Sequence, residues 1–367
     1  MAVHHWLTLA HTSGIGPVLS RRLIELTGSA EAATRADEET LRRVEGIGSK
    51  AGKIAASLKL AHADADKQLA AAEAKRVSII CSDDEAYPHL LRTLPDAPLV
   101  LYVVGTLEPR DLNSVAIVGS RKCSLYGREQ AERFGGLLAG AGFTVLSGGA
   151  RGVDSAAHHG AIAHGSGRTI AVLGCGLDIA YPAENLALFQ QIAEHGAVIS
   201  EFPIGTPPAA ENFPKRNRIV SGMSRGVLVI EADERSGALI TARQAIEEHN
   251  RPVMAVPGRC DNPQSAGPHK LIREGATLVT RLEHILEALG PLNASLPEVS
   301  LFESAPARTL LTPAPPPKPV DPLNESQQKL LGVLGVDPLG VDDIADASGL
   351  DVSHVMRDLM FLTLKGR

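Results

Sequence analysis

Aromatic side chains are scarce, only 3% of the 367 residues, so Ala, Val, Leu and Ile must build the core. At 44%, the hydrophobic fraction is ample for one, and the length calls for two or three domains. There are four cysteines, Cys81, Cys123, Cys175 and Cys260, with no Cys-x-x-Cys pair and no histidine at ligand spacing beside one. That excludes a disulfide scaffold and a zinc ribbon, and predicts inert thiols in a reducing cytoplasm. Long apolar runs are missing as well. Residues 1–12 have an apolar stretch but no basic start and no cleavage-like end, so neither a signal peptide nor a membrane span is expected. Nor is there an excess of positive charge. A net charge of -6 argues against coating of duplex DNA through overall charge. Any nucleic-acid contact must come from a local patch, and an acidic remainder helps confine a polyanion to it.

The common nucleotide signatures are also absent. The nearest approach to a P-loop is Gly52-Lys53, but Ile54 follows and Ile47 stands where the first glycine belongs. Gly174-Cys175-Gly176 comes after the third strand of its segment, with Ile179 in place of the last glycine of a dinucleotide fingerprint, which discounts NAD and FAD. No cofactor is expected. Glu201, Glu231 and Asp233 are carboxylates at strand ends, but no Asp-x-Asp set, His-carboxylate cluster or nucleophile elbow accompanies them. His158 and His159 lie in a helical pattern and are read as packing and surface residues.

The chain does carry a concentrated cationic segment, Glu211-Asn212-Phe213-Pro214-Lys215-Arg216-Asn217-Arg218. Around it, residues 76–290 alternate short Val/Ile/Ala runs (115–118, 144–147, 169–173, 197–200, 227–231, 253–256) with helical ones (127–141, 155–163, 185–194, 239–248). This rhythm predicts a Rossmann-like, doubly wound, mostly parallel sheet. Residues 78–81 and 99–104 add a strand-containing lead-in. Ligands of such sheets sit at the carboxyl ends of the strands. Gly119-Ser120-Arg121, Gly148-Gly149-Ala150-Arg151-Gly152, Ser200-Glu201-Phe202-Pro203 with the cationic segment behind it, Glu231 to Gly237, and Pro257-Gly258-Arg259 all fall there. Glycine turns, clustered arginine, and hydroxyls at Ser120, Ser236 and Ser265 suit a phosphate chain. An aromatic among the cations suits a single strand.

Each residue has a plainer reading. The glycines permit tight turns, Arg151 and Asp154 pair across theirs, and Arg216 and Arg218 hold Glu201 or Glu231. Phe213 either stacks on a base or anchors its segment. The cluster as a whole is harder to explain that way, because several arginines at one sheet edge repel without an anion between them.

The flanks differ in kind. Residues 1–75 are helical, with Gly14-Ile15-Gly16 and Gly46-Ile47-Gly48 each entering a helix, a tandem helix-hairpin-helix outline. The second copy, beside Lys50 and Lys53, is the better phosphate candidate; the alternative is a purely structural helical domain. Residues 291–322 are a proline-rich linker, extended by repeated proline. Residues 323–367 show three helical patterns with a helix-turn-helix outline, a winged-helix-like domain that looks clipped at Lys365-Gly366-Arg367.

Five motifs in order, Val118 to Arg121, Ser147 to Asp154, Ser200 to Pro203, Phe213 to Ile219 and Ser236 to Ala242, resemble those of the DprA (Smf) family, DNA-processing proteins of natural transformation. The likeness covers about residues 75–290. It implies a homodimeric core that binds single-stranded DNA and loads RecA onto DNA coated by single-strand-binding protein, with no catalytic activity. It assigns DNA contact to Gly119, Ser120, Arg121, Lys215, Arg216, Asn217 and Arg218, with Ser236 and Gly237 in the fifth motif. Gly148, Gly149 and Arg151 shape the pocket. His269 stands where the family usually has asparagine, and is expected to keep that DNA contact through a hydrogen bond. The rival expectation is a nucleotide phosphohydrolase or phosphoribohydrolase on a similar fold. Its Pro-Gly-Gly-x-Gly-Thr-x-x-Glu pattern is not met by Ser147 to Ser155. A third is a scaffold for partner proteins.

Overall fold

The computed structural model describes residues 2–290, 325–333 and 341–364. Five helices open the chain: α1 (Ala2–His11), α2 (Pro17–Thr27), α3 (Ala30–Thr34), α4 (Glu38–Arg42) and α5 (Ala51–Lys75). Then come β1 (Ser78–Cys81), α6 (His89–Arg92), β2 (Val100–Gly105), β3 (Ser114–Val118), α7 (Leu125–Gly140), β4 (Thr144–Ser147), α8 (Val153–Ala163) and β5 (Arg168–Val172). The core continues with α9 (Leu186–His195), β6 (Gly196–Ser200), α10 (Asn212–Met223), β7 (Val227–Val229), α11 (Gly237–Glu247) and β8 (Val253–Ala255), and ends in α12 (Ala266–Arg273), β9 (Thr277–Leu278) and α13 (Leu282–Leu289).

The nine strands form one sheet in the order β1-β2-β6-β5-β4-β3-β7-β8-β9. β3 to β9 run parallel, while β1 and β2 are antiparallel additions at one edge. The chain winds outward from β3 to β6, then returns to β7 on the other side of β3. That reversal opens a crevice at the carboxyl ends of β3 and β7, the place where this topology holds ligands. Alternation decides which core each side chain joins. Ala116 and Val118 face the helices α10 and α11, and Val115 and Ile117 face α7 and α8.

The opening helices share a core with the sheet edge. Trp6, Leu23, Leu41, Ile54 and Leu58 pack in one cluster with Val100 and Tyr102 of β2. The described residues up to 290 therefore make one compact unit. Ile15 and Ile47, the central residues of the Gly-Ile-Gly turns, are buried in that cluster, while Lys50 and Lys53 are exposed. Arg22 donates to the Glu45 carbonyl at 2.9 Å, bracing the second turn from within the chain.

The remaining described residues form a second unit: α14 (Glu325–Val333), α15 (Val341–Ser348) and α16 (Val352–Leu364) around Leu330, Ile344, Ala345 and Val355. Gly349, at φ +66°, makes the sharp turn between α15 and α16. The proline-rich linker and the final Lys365-Gly366-Arg367 lie outside the described residues. No helix among those described is long and apolar enough to cross a membrane. The four cysteines are free thiols; burial pushes Cys81 up to about 12 and Cys175 to about 11, which keeps both protonated.

His158 of α8 is fully buried, with Nδ1 at 2.7 Å from the Thr169 hydroxyl. That hydroxyl donates to the Val145 carbonyl, so the imidazole Nδ1–H donates to the hydroxyl oxygen. Burial pulls the ring from its ordinary 6.5 down to about 3. Between those values the unfolded chain binds one more proton than the folded one. The stability tied to this residue is complete above pH 6.5 and is lost as pH falls toward 3, by up to ~1.4 kcal/mol per pH unit. Denaturant titrations at pH 7, 5 and 4 on the wild type and His158→Asn should show a smaller acid loss in the variant; parallel losses would refute the assignment.

Candidate nucleic-acid interface

The crevice at the β3 and β7 ends is a cavity of about 750 Å³. Gly119 lets β3 reach it: a Cβ there would meet Val153 Cγ2 at 2.6 Å and the Glu231 carbonyl at 2.7 Å. The Ser120 amide donates to that carbonyl at 2.6 Å, and the Ser120 hydroxyl accepts from the Lys122 amide at 3.1 Å. This folds Gly119-Ser120-Arg121-Lys122 into a turn whose residues all line the cavity. Across from it, Ser236 caps α11, accepting from the Ala238 amide at 3.3 Å. Ser236 and Gly237 thus place the positive end of a helix dipole on the opposite wall. Ser265, by contrast, is 1% exposed and offers no hydroxyl to the surface.

The cationic segment is the first turns of α10, not the strand-end loop its position suggested. Pro214 fits there because a helix's first amides have no intrahelical partner to lose. Helical geometry then separates the cations, since successive residues turn about 100° from one another. Lys215 is exposed. Arg216 points inward and is 4% exposed; its Nη1 donates to the Val172 carbonyl at 2.5 Å. Arg218 turns to another side, where it pairs with Glu201 and, at 3.4 Å, with Asp96. Arg218 therefore leaves the proposed grip: it is a half-buried ion-pair member and lies outside the cavity lining. Asn217 lines the cavity and donates to the Gly237 carbonyl at 3.3 Å, tying α10 to α11.

Arg216 is the cavity floor, not its rim. Gly148 lies directly against its guanidinium, and the pair is possible only because Gly148 has no side chain. Burial lowers the Arg216 pKa, opposed by the nearby Asp154 carboxylate. Burial raises Asp154, opposed by the Arg216 charge and by the Ala150 amide donating at 3.2 Å. Gly149 takes φ +64° beneath Phe189, so the β4 turn needs glycine there as well. Arg151 does not pair with Asp154. It pairs with Glu184 at the surface, a contact worth little in water.

Two cations on the rim, Arg121 and Lys122, form no ion pair among the described residues, although the Arg121 charge reaches the buried Asp154 carboxylate. The Arg121 guanidinium lies over the Phe213 ring, 4.8 Å from its centroid. Tyr181 packs on the same ring at 5.6 Å and 41°. Phe213 is half-buried, so it is an anchor that shows part of its ring, with Arg121 stacked on it. Tyr181, 37% exposed, is the ring more open to a ligand. Sequence reasoning missed it: the only local signal was Tyr181-Pro182 in the loop beyond β5. It also misplaced His269, which sits on α12 with Nε2 at 3.0 Å from the Gly258 carbonyl, outside the cavity lining. Glu231 is used structurally, accepting from the Ser124 amide at 2.8 Å and hydroxyl at 2.7 Å.

Residues 78–290 match the family model described as DNA recombination-mediator protein A, and residues 314–367 match that of the DprA winged helix domain. The chain is 35% identical to Protein Smf of Synechocystis over 99% of its own length and 95% of that protein's. It is 42% identical to Protein Smf of Escherichia coli over 78% of its own length and 74% of that protein's. The X-ray structure of DNA processing protein A from Streptococcus pneumoniae superposes with a TM-score of 0.66 at 33% identity, covering 77% of this chain and 97% of that one. DNA processing protein A from Helicobacter pylori, whose structure was solved for its single-stranded DNA binding mode, superposes with a TM-score of 0.51 at 30% identity, over 58% of this chain and 95% of that one. This chain belongs to the DprA/Smf family of DNA-processing proteins.

Proposed function

We propose that the protein binds single-stranded DNA in the β3/β7 crevice, without catalysis, and as a homodimer passes strands coated by single-strand-binding protein to RecA. The observation that carries the binding step is Arg121: exposed, in no ion pair among the described residues, and stacked on Phe213 beside the open Tyr181 ring. Such a guanidinium can take a phosphate bidentately while a base lies on the neighbouring ring. Lys122 and the α11 N-terminus add charge around the same opening. Lys215, exposed on the outer side of α10, can meet a phosphate beyond it. The family relation and the Helicobacter pylori relative support the ligand class; the hand-over to RecA rests on family resemblance.

Contacts of this kind are to backbone and ring faces, so sequence preference should be weak and salt sensitivity steep. Arg121→Ala should lower oligo-dT affinity about tenfold, the worth of one charge-assisted hydrogen bond. It should also flatten the logarithmic salt slope by roughly 0.7. Fluorescence anisotropy across a salt series measures both, and an unchanged affinity and slope would remove the crevice from the DNA path. Sedimentation velocity tests the dimer, and RecA nucleation on coated single strands tests the hand-over.

A further inference from the structure

We propose that the bound strand continues out of the crevice across the start of α7, where Tyr126 is a second stacking platform. This rests on the crevice being the single-strand site. Leu125 and Tyr126, the first two residues of α7, are 71% and 41% exposed, two large apolar side chains side by side on the surface. A tyrosine needed only as an anchor would bury its ring and keep its hydroxyl bonded. Here the hydroxyl donates to the Pro257 carbonyl at 2.8 Å, just beyond β8, while the residue stays partly exposed. The side chain is therefore pinned at its tip while part of it faces solvent. A ring already fixed loses little conformational freedom when a base stacks on it.

The patch follows the crevice closely along the chain. Arg121 and Lys122, which line it, stand three to five residues before Leu125 and Tyr126. Ser124, the α7 cap, is locked to Glu231 at the end of β7 through both its amide and its hydroxyl, so the start of α7 is held rigidly beside the opening. Arg128, exposed and one turn along α7, forms no ion pair among the described residues. Arg259, in the turn that receives the tyrosine hydroxyl, pairs with Asp261 and is not counted as a phosphate ligand. Phe213 and Tyr181 stand beside Arg121, and Tyr126 follows the Arg121-Lys122 turn along the chain. An alternation of cation and ring along one path is what a single strand, with its repeating phosphate and base, requires.

The test compares oligo-dT of about 6 and about 20 nucleotides, bracketing ordinary single-strand site sizes. Tyr126→Ala should weaken the long oligonucleotide about tenfold, the worth of one base stack, and leave the short one unchanged. Tyr126→Phe, which keeps the ring and loses the anchor, should retain most of the long-oligonucleotide affinity. Leu125→Ser, at a position too exposed to affect folding, should give a smaller loss confined to the long substrate. Equal losses at both lengths, or none on the long one, overturn the proposal, as does a fall in sedimenting mass with long-substrate affinity intact, which would assign the patch to a second copy of the chain. If Arg121→Ala leaves both lengths unaffected, it is the crevice reading that fails, not this extension alone.

Discussion

Gly148→Ala should lose single-strand binding by about a hundredfold or more while conserving the overall helix and strand content. A Cβ at this position would lie 2.5 Å from the Arg216 Cζ and closer still to its Nη1. Arg216 can swing aside only toward the cavity, which breaks its bond to the Val172 carbonyl at the end of β5 and takes it off the floor. Either the guanidinium is expelled, leaving Asp154 buried without its cation, or the β4 turn moves. Overpacking of this sort costs ~1–3 kcal/mol, and an unpaired buried charge adds several more. Both responses displace the floor under Arg121, Phe213 and Tyr181, so binding falls by more than any one rim contact contributes. Circular dichroism with anisotropy on oligo-dT separates the outcomes. A variant that binds normally would show that the floor and rim are not coupled.

The same position shows what the sequence could and could not reveal. Gly148 was readable as a turn glycine after a strand, but the reason for it, a guanidinium 68 residues away in sequence, was not. The parallel strands were legible because both faces are buried, which leaves continuous Val/Ile/Ala runs with few polar interruptions. β9 was not, since it is two exposed residues long and carries no pattern. Residues 213–218 were legible as a cation cluster, and Phe213, Pro214, Arg216 and Asn217 do line the cavity, but which of the cations reach it was not legible, because composition says nothing of angle. Once α10 is a helix, Lys215, Arg216 and Arg218 must face three ways, and only Arg216 reaches the cavity. The pairing of Arg218 with Glu201 was among the sequence's open alternatives and is the one the fold selects. Tyr181 was out of reach, since its place beside Phe213 depends on how the loop after β5 closes over α10.

The last expected result turns on the opposite kind of arginine. Arg168, at the start of β5, is 3% exposed and meets Asp111 with two bonds, Nε to Oδ1 at 2.5 Å and Nη2 to Oδ2 at 2.8 Å. Its Nη2 also donates to the Thr106 carbonyl at 2.6 Å, and its Nη1 to Glu108 at 3.2 Å. Asp111 in turn accepts from the Thr144 hydroxyl at 2.8 Å, so one guanidinium joins the loop after β2 to β4 and β5 at their amino ends. Arg168→Ala removes the cation and leaves the buried Asp111 carboxylate with two neutral donors, the Thr144 hydroxyl and the Glu108 amide at 2.8 Å. Removing one partner of a buried pair costs ~3–5 kcal/mol, so the unfolding midpoint should drop sharply. Because these groups sit at the strand ends away from the crevice, affinity for oligo-dT at a temperature where the variant is folded should equal that of the wild type. The charge-neutral double variant Arg168→Met with Asp111→Leu should recover much of the loss, since apolar replacement of a whole buried pair is often neutral. Denaturant midpoints for the three proteins, each with an affinity measured well below its transition, decide the matter. If Arg168→Ala weakens binding as much as Arg121→Ala does, arginine burial and pairing are not what separates structural from ligand-binding cations in this protein.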